Sequence, residues 1–263
     1  MYDILAKFYQ RLTPRNHCIK WKRFARPIIQ KSRAARIFKE RKERPLCVDA
    51  GCGTGELADM LAAYYDVIGI DISPEMLDQA SRNYPDRNIM WVQQDISKMN
   101  IGKKKAAAIF ATTDSLNHIL LESKLNAFLK RAYDSLESGG YLFFDVITEQ
   151  LVDFYRNGQC AFEDFDWGSF FWTCNYDLNT GKLTYDVSCF EKCENEDDIY
   201  IRTDDRITER IWSENMLFEC LDKAGFKNVQ VYGDISCPDP SCANAGMLRK
   251  CSERLYYVCE KSD

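Results

Sequence analysis

The most regular stretch of the chain begins at Leu46-Cys-Val-Asp-Ala50, an apolar run that ends in glycines and is followed by Leu57, Met60, Leu61 and Tyr64 at i, i+3, i+4 and i+7. The run reads as a strand, and the spacing behind it as the buried stripe of a helix. The unit recurs, with Val67 to Ile72 a second strand and Pro74 to Tyr84 a helix capped by Ser73 and opened by Pro74. Ile89 to Gln93 and Ala106 to Thr112 read as strands three and four. Leu121, Leu125, Phe128, Leu129 and Leu136 mark one face of a long helix, which Gly139-Gly140 is expected to stop before the strand Tyr141 to Ile147. Alternating strands and helices predict a parallel sheet with helices on both faces.

After Thr148 the period changes. Glu149 to Arg156 is helix-like, and Phe170 to Tyr176 and Leu183 to Phe190 alternate around the turn Asn179-Thr180-Gly181. Ile199 to Trp212 reads as one or two further strands. Met216, Leu217, Cys220, Leu221 and Ala224 then mark a helix ended by Gly225, with strands at Val229 to Tyr232 and Leu255 to Cys259. The expectation is a Rossmann-like, doubly wound α/β domain with a mostly parallel seven-stranded sheet. Its core is residues 46–148 and 213–263, residues 149–212 form an antiparallel insertion, and residues 1–45 form an N-terminal helical cover.

Composition narrows the class. With 263 residues, 46% hydrophobic and 29% charged, the chain is neither a fibre, a disordered tail nor a disulfide-stapled miniprotein. The longest uncharged apolar run, Ala106 to Ala111, is far shorter than the roughly 20 residues of a membrane helix, and no apolar signal core opens the sequence. A cytoplasmic protein is expected. The twelve cysteines include no C-x-x-C pair, and only His17 and His118 offer imidazole, so reduced thiols and no metal site are expected. Charge is lopsided. Residues 1–45 hold 14 Lys/Arg against three Asp/Glu, a net of +11, while the remainder holds 21 against 37, a net of −16. Such an arm can bind nucleic acid or a membrane surface, or dock on its own acidic body.

Candidate chemistry concentrates in Val48-Asp-Ala-Gly-Cys-Gly-Thr-Gly-Glu56, between a strand and a helix. Glycines there let a backbone approach a ligand. Asp71 ends the second strand, where an acid can bond a ribose diol, and Asp95 ends the third on the same carboxyl edge. The spacing Gly51-x-Gly53-x-Gly55 differs from the dinucleotide pattern, and Asp49 and Glu56 would repel a pyrophosphate but not a ligand with a cationic centre and an amino group.

These residues resemble the class I S-adenosylmethionine-dependent methyltransferases, through Val48 to Gly55, Gly69-Ile-Asp-Ile-Ser-Pro-Glu-Met76, Gln93-Gln-Asp-Ile96 and Thr113-Asp-Ser-Leu-Asn-His118. The last two segments look like a subgroup of small bacterial enzymes with an antiparallel insertion after strand five, whose N-terminal pattern is similar to Tyr9, Leu12 and Trp21. Gln10 and Cys18 depart from that pattern. The resemblance implies S-adenosylmethionine as cofactor and S-adenosylhomocysteine as product. Asp49 and Gly51 would face the methionine amino group, with Ala50, Cys52, Gly53 and Gly55 in the turn. Asp71 would take the ribose hydroxyls, Ile72 and Met76 would pack on adenine, and Asp95 with Ile96 would meet its amine. The backbone near Ala111 and Thr112 would reach the methionine end.

Other residues carry two readings each. Cys52 is a nucleophile or a small filler of the turn. Tyr9 and Trp21 cover the cofactor or belong to the core. His118 is a general base or a packing residue. The insertion sets Glu163, Asp164 and Asp166 beside Phe162, Phe165, Trp167, Phe170, Phe171, Trp172 and Tyr176, so Phe171 and Trp172 are candidates for a lid attracting an amine, or for an outer face or dimer interface. Thr112-Thr-Asp-Ser115 lacks both the Pro-Pro-aromatic segment of base-amine methylation and a loop cysteine. The expected activity is methyl transfer to nitrogen or oxygen of a small molecule by a monomer or homodimer. The alternatives are a tRNA or rRNA methyltransferase using the basic segment, and an NAD(P)-dependent Rossmann oxidoreductase.

Overall fold

The computed structural model describes residues 6, 9, 16–155, 160–193, 199–236 and 252–262. Two helices lead in. Helix α1 (Asn16–Lys31) buries Trp21, Phe24, Ala25 and Ile29, one helical stripe, and α2 (Arg33–Glu40) starts where the Ser32 hydroxyl accepts the Ala35 N–H at 3.0 Å. Strand β1 (Leu46–Ala50), α3 (Glu56–Ala62), β2 (Asp66–Asp71), α4 (Pro74–Asn83), β3 (Ile89–Gln93), β4 (Ala106–Ala111), α5 (Glu122–Ser135) and β5 (Leu136–Ile147) follow. Beyond them come α6 (Glu149–Tyr155), the strands β6 (Cys160–Phe165), β7 (Gly168–Asp177), β8 (Lys182–Lys192) and β9 (Tyr200–Arg210), then α7 (Glu214–Ala224), β10 (Asn228–Tyr232) and β11 (Arg254–Glu260).

The seven-stranded sheet has the order β10-β11-β5-β4-β1-β2-β3. Val48 of β1 pairs in parallel with Ile68 of β2 on one side and Ile109 of β4 on the other, while β11 runs antiparallel between β5 and β10. Strands β1 and β4 are buried at every position, which is why both read as continuous apolar runs. Helices α1, α2 and α3 pack together, as do α5 and α7. The chain leaves β1 and β4 toward opposite sides, so a crevice opens between their carboxyl ends.

The basic N-terminal segment lies on the body through its charges as well as its apolar stripe. Arg41 meets Glu137 at 2.7 Å, Arg44 meets Asp66 at 3.7 Å, Lys20 meets Asp234 at 4.0 Å, and the Arg26 guanidinium sits 3.8 Å from the centre of the Tyr64 ring. Each such exposed pair contributes only about 0–1 kcal/mol, so the buried Trp21, Phe24 and Ile29 carry the docking. No described helix is long and apolar enough to cross a membrane. No disulfide joins the described cysteines, and Cys47, Cys52, Cys174, Cys189, Cys220 and Cys259 are buried.

Strands β6 to β9 form a separate four-stranded antiparallel meander. Its Asn179-Thr180-Gly181 turn is held by the Asp177 carboxylate, which accepts from the Asn179 N–H at 2.9 Å and the Thr180 hydroxyl at 2.7 Å. Phe170, Val187, Cys189 and Ile207 make its core. Residues 160–165, which carry no clear period in the sequence, pair as β6 because Phe162 and Glu163 lie opposite Phe171 and Phe170 of β7. Residues 200–210 make one strand.

One boundary differs from expectation. Gly139 and Gly140 do not stop α5; that helix ends at Ser135, and both glycines lie inside β5. Ala106 pairs with Leu136 but Ala108 with Tyr141, so β5 bulges between them. Gly139 takes φ +69°, and a Cβ on Gly140 would stand 2.9 Å from the Glu137 carbonyl and 3.1 Å from that of Ala107. The pair is a device for a bulge, not a cap. Gly140→Ala is therefore expected to destabilise by about 1–3 kcal/mol in urea denaturation, as overpacking against backbone does. Gly102→Ala, at a positive φ in open space, is expected to cost less.

Candidate functional site

The loop after β1 turns through three left-handed glycines, Gly51, Gly53 and Gly55, at φ +81°, +51° and +85°. The Gly51 and Cys52 amides donate to the Ile70 carbonyl at 2.7 and 3.0 Å, which ties the turn to β2. The Gly53 amide donates to Asp71 Oδ2 at 2.8 Å and the Ser73 amide to Asp71 Oδ1 at 2.9 Å. Asp71 is thereby fixed between the turn and the start of α4. Burial pushes its carboxyl up and the two amides oppose the shift. Trp91 of β3 underlies the turn, and a Cβ on Gly55 would meet its ring at 2.6 Å.

Asp49 stands one residue before the end of β1. It is 2% exposed, and its Oδ2 has no hydrogen-bond partner among the described residues. Burial, with Asp71 nearby, pushes its carboxyl up to about 7. It borders a small pocket with Gly51, Gly53, Glu56, Thr112 and Thr113. A buried acceptor without a donor is a costly arrangement that a cationic N–H group would relieve.

A cleft of about 310 Å³ adjoins this pocket and runs along the carboxyl ends of β2 and β3. Asp71, Ile72, Met76, Asp95 and Ile96 line it, as Thr113, Ser115 and His118 do at its other end. Ile72 is 61% exposed into this space, an apolar surface on offer to a planar ring. Burial works against the Asp95 carboxylate, but hydrogen bonds from Ser97 and Lys124 hold it below the usual range. One of its oxygens already pairs with Lys124 at 3.0 Å.

The loop after β4 is held in an unusual shape. Thr113 and Asp114, neither of them glycine, take φ +56° and +66°. Two successive left-handed residues are strained and persist only where the surroundings over-determine them. Here the surroundings are Asp145 on β5, whose fully buried carboxylate accepts the Thr113 amide at 3.0 Å, the Asp114 amide at 3.3 Å and the Trp21 indole N–H at 2.8 Å. Arg254 of β11 pairs with Asp145 and also reaches Asp114, its Nη2 lying 3.1 Å from Oδ2. Burial would drive the Asp145 carboxyl up, but Arg254, His17 and these hydrogen bonds hold it below the usual range. The loop's Ser115 lies over the glycine turn, so close that a Cβ on Gly51 would meet its hydroxyl at 2.4 Å.

The expected site residues divide accordingly. Asp49, Gly51, Gly53, Asp71, Ile72, Met76, Asp95, Ile96, Thr112, His118 and Tyr9 come together around the two connected spaces. Cys52 borders the pocket, but burial beside Asp49 and Asp71 raises its thiol well above the ordinary value, which favours the filler reading over a thiolate nucleophile. Ala50 and Ala111 are fully buried strand ends with side chains in the core. Trp21 is fully buried against Phe24, Phe143 and Tyr256, a core residue and not a cover. Phe171 projects from the second sheet into solvent and Trp172 packs between that sheet's two apolar clusters, so neither reaches the cleft. Sequence reasoning missed Ser115, Lys124, Asp145 and Arg254. The aspartate in Phe143-Phe-Asp-Val146, a charge inside a buried apolar run, is the signal that could have found the last pair.

Arg254→Met leaves two carboxylates uncompensated and is expected to cost about 3–5 kcal/mol in urea denaturation at pH 7. Because Asp145 lies low in the folded protein, its contribution is complete above the unfolded value of about 4 and is lost as pH falls through the folded one. The gap between parent and variant should therefore narrow on acidification below pH about 4.

Comparison with known proteins agrees with this geometry. The methyltransferase domain family matches residues 47–140, from β1 into β5. A protein of Geobacillus sp. (strain WCH70), provisionally named a methyltransferase, is 27% identical over 271 residues, covering 99% of both chains. A crystal structure of an S-adenosylmethionine-dependent methyltransferase from Clostridium acetobutylicum superposes with a TM-score of 0.77 at 22% identity, over 100% of this chain and 99% of that one. The sugar N-methyltransferase KedS8 from Streptoalloteichus superposes with a TM-score of 0.71 at 15% identity, over 100% and 93%. Residues 47–140 thus match the methyltransferase domain family, and the chain shares the fold of solved S-adenosylmethionine-dependent methyltransferases, matches that speak against the dinucleotide oxidoreductase alternative.

Proposed function

We propose that this enzyme transfers a methyl group from S-adenosylmethionine to a nitrogen or oxygen atom of a small molecule admitted to the cleft at the β1/β4 crevice. The observation that carries the reading is Asp49, whose buried Oδ2 lacks a donor in a pocket of the size and sign suited to an α-ammonium group. Asp71, already holding two amides, has lone pairs left for a ribose diol. Ile72, Met76 and Ile96 offer an apolar slot for adenine, and Asp95, paired with Lys124, would accept from the ring's amine. The turn Gly51-Cys52-Gly53 and Thr112 line the adjoining pocket and would border the methionine end.

The cofactor supplies a sulfonium methyl with an excellent leaving group. What remains for the chain is to align the acceptor, exclude water and take a proton where the acceptor carries one. His118 and Ser115 both line the cleft, and burial pushes the His118 imidazole below the ordinary value, the direction that favours a proton acceptor.

One observation favours a small acceptor over RNA: several basic residues of the N-terminal segment are engaged with Glu137, Asp66, Asp234 and Tyr64. That relatives of this fold include an enzyme described as a sugar N-methyltransferase supports an amine-bearing acceptor. RNA binding that weakens steeply with salt and depends on residues 1–45 would reverse this preference.

S-adenosylhomocysteine at about 100 times its Kd is expected to stabilise the protein by about 2.7 kcal/mol, a rise of several degrees in Tm. NADH is expected to leave Tm unchanged, and no shift with the homocysteine compound would overturn the reading. Asp71→Ala should abolish most of that shift. With Asp49 near 7, binding of an ammonium-bearing ligand at pH 6 requires the carboxyl to ionise. Titration calorimetry in buffers of different ionisation enthalpy should show close to one proton released, with affinity falling about tenfold per unit below pH 7. Asp49→Asn should bind more weakly and release none.

A further inference from the structure

The second sheet ends on the loop that carries His118, and the junction is rigid. The Arg210 amide donates to the Asn117 carbonyl at 2.7 Å, and the Asn117 side-chain amide donates back to the Arg210 carbonyl at 2.8 Å. The Asn117 side-chain carbonyl accepts the Ile147 amide at 3.1 Å, the Arg210 guanidinium donates to the Leu120 carbonyl at 3.0 Å, and the Trp212 indole donates to the Leu116 carbonyl at 3.2 Å. With its end pinned in this way, β9 has one register, and that register brings Glu209 against His118.

Glu209 is 5% exposed, on a strand face whose neighbours Leu183, Ile207 and Ile211 are apolar. A buried carboxyl is destabilising unless a partner receives it. The Glu209 Oε1 lies 3.5 Å from His118 Nε2, and the Tyr185 side chain hydrogen-bonds the same carboxyl from β8. We infer that Glu209 is the positioning residue of His118, a carboxyl supplied by the inserted sheet that fixes the orientation and tautomer of the imidazole lining the cleft. The role in catalysis rests on the proposed function of His118, whereas the pairing stands on the geometry alone.

The groups facing His118 come from several elements. Asp114 lies on its own loop and is paired with Arg254 of β11, the Thr208 backbone bonds the ring, and Glu209 approaches from β9. Lys124 and Asp95 line the same cleft but pair with each other. Burial disfavours the charged form of both groups, pushing the imidazole down and the Glu209 carboxyl up. A carboxyl that faces one ring nitrogen selects which nitrogen carries hydrogen, and as a carboxylate it stabilises the ring as a cation.

His17 and His118 are the only imidazoles in the chain, so the test is spectroscopic and requires no acceptor. In the ¹⁵N-labelled full-length His17→Gln protein, two-bond ¹H–¹⁵N spectra should show His118 as one tautomer with a hydrogen-bonded Nε2, protonating below pH 6.5. Glu209→Gln should change the tautomer or the Nε2 shift and lower the protonation midpoint by a unit or more, because the cation loses its carboxylate. Spectra and midpoint that superpose on those of the parent would overturn the inference. Should the glutamine variant fail to fold, the parent decides: a His118 Nε2 shift without hydrogen bonding overturns the pairing. Spectra with and without S-adenosylhomocysteine separate this result from the cofactor reading, since failure to bind that compound leaves the imidazole result standing.

Discussion

A carboxylate with no access to water organises this molecule. Asp145 sits at the carboxyl end of β5, and an isolated charge there would be untenable, so the fold brings it donors from several parts of the chain: the Trp21 indole, the Thr113 and Asp114 amides, and the Arg254 guanidinium. Each partner gains a fixed position in return. Trp21 seats the N-terminal helix on the sheet, Arg254 locks the antiparallel strand β11 beside β5, and the two amides hold a strained loop against the glycine turn. The crevice exists in its observed shape because these demands are met at one point.

The inserted sheet takes on a different meaning in this light. An aromatic and acidic insertion suggests a lid that opens and closes over substrate. Its aromatic residues, however, mostly serve its own cores: Phe170 is 1% exposed, and Trp167 stacks on Phe165. The part that matters to the site is the last strand, bonded to residues 116–120 by backbone and side-chain hydrogen bonds. A wall joined to the cleft in this manner holds the loop carrying His118 in one position.

Much of the fold was legible because its signals are local. Strand runs, helix stripes and the Ser73-Pro74 start depend on neighbours in sequence, and so does the glycine turn with Asp71 at the end of the adjacent strand. The residues that line the cleft along β2 and β3 were legible for the same reason. Gly139-Gly140 misled because a glycine pair after a helix reads equally as a cap and as a bulge, and only pairing with β4 and the approach of Lys261 distinguish the two. Trp21 carries two readings in the sequence because an aromatic on an amphipathic helix bears no mark of what it faces. The loop after β4 was illegible because its pairs are long-range: Asp145 with Arg254 is a contact across 109 residues, and His118 meets Glu209 across the whole insertion.

Chain order gives the Asp145 hub a consequence in time. The strand that delivers Arg254 is the last described in sequence, yet it lies between β5 and β10, hydrogen-bonded to both. During synthesis the glycine turn, Asp49 and Asp71 emerge early, but the loop after β4 has no cation to hold it until β11 has been made and inserted. A nascent or truncated chain without β11 therefore presents the glycine turn while Asp145 and Asp114 lack the Arg254 guanidinium that joins them.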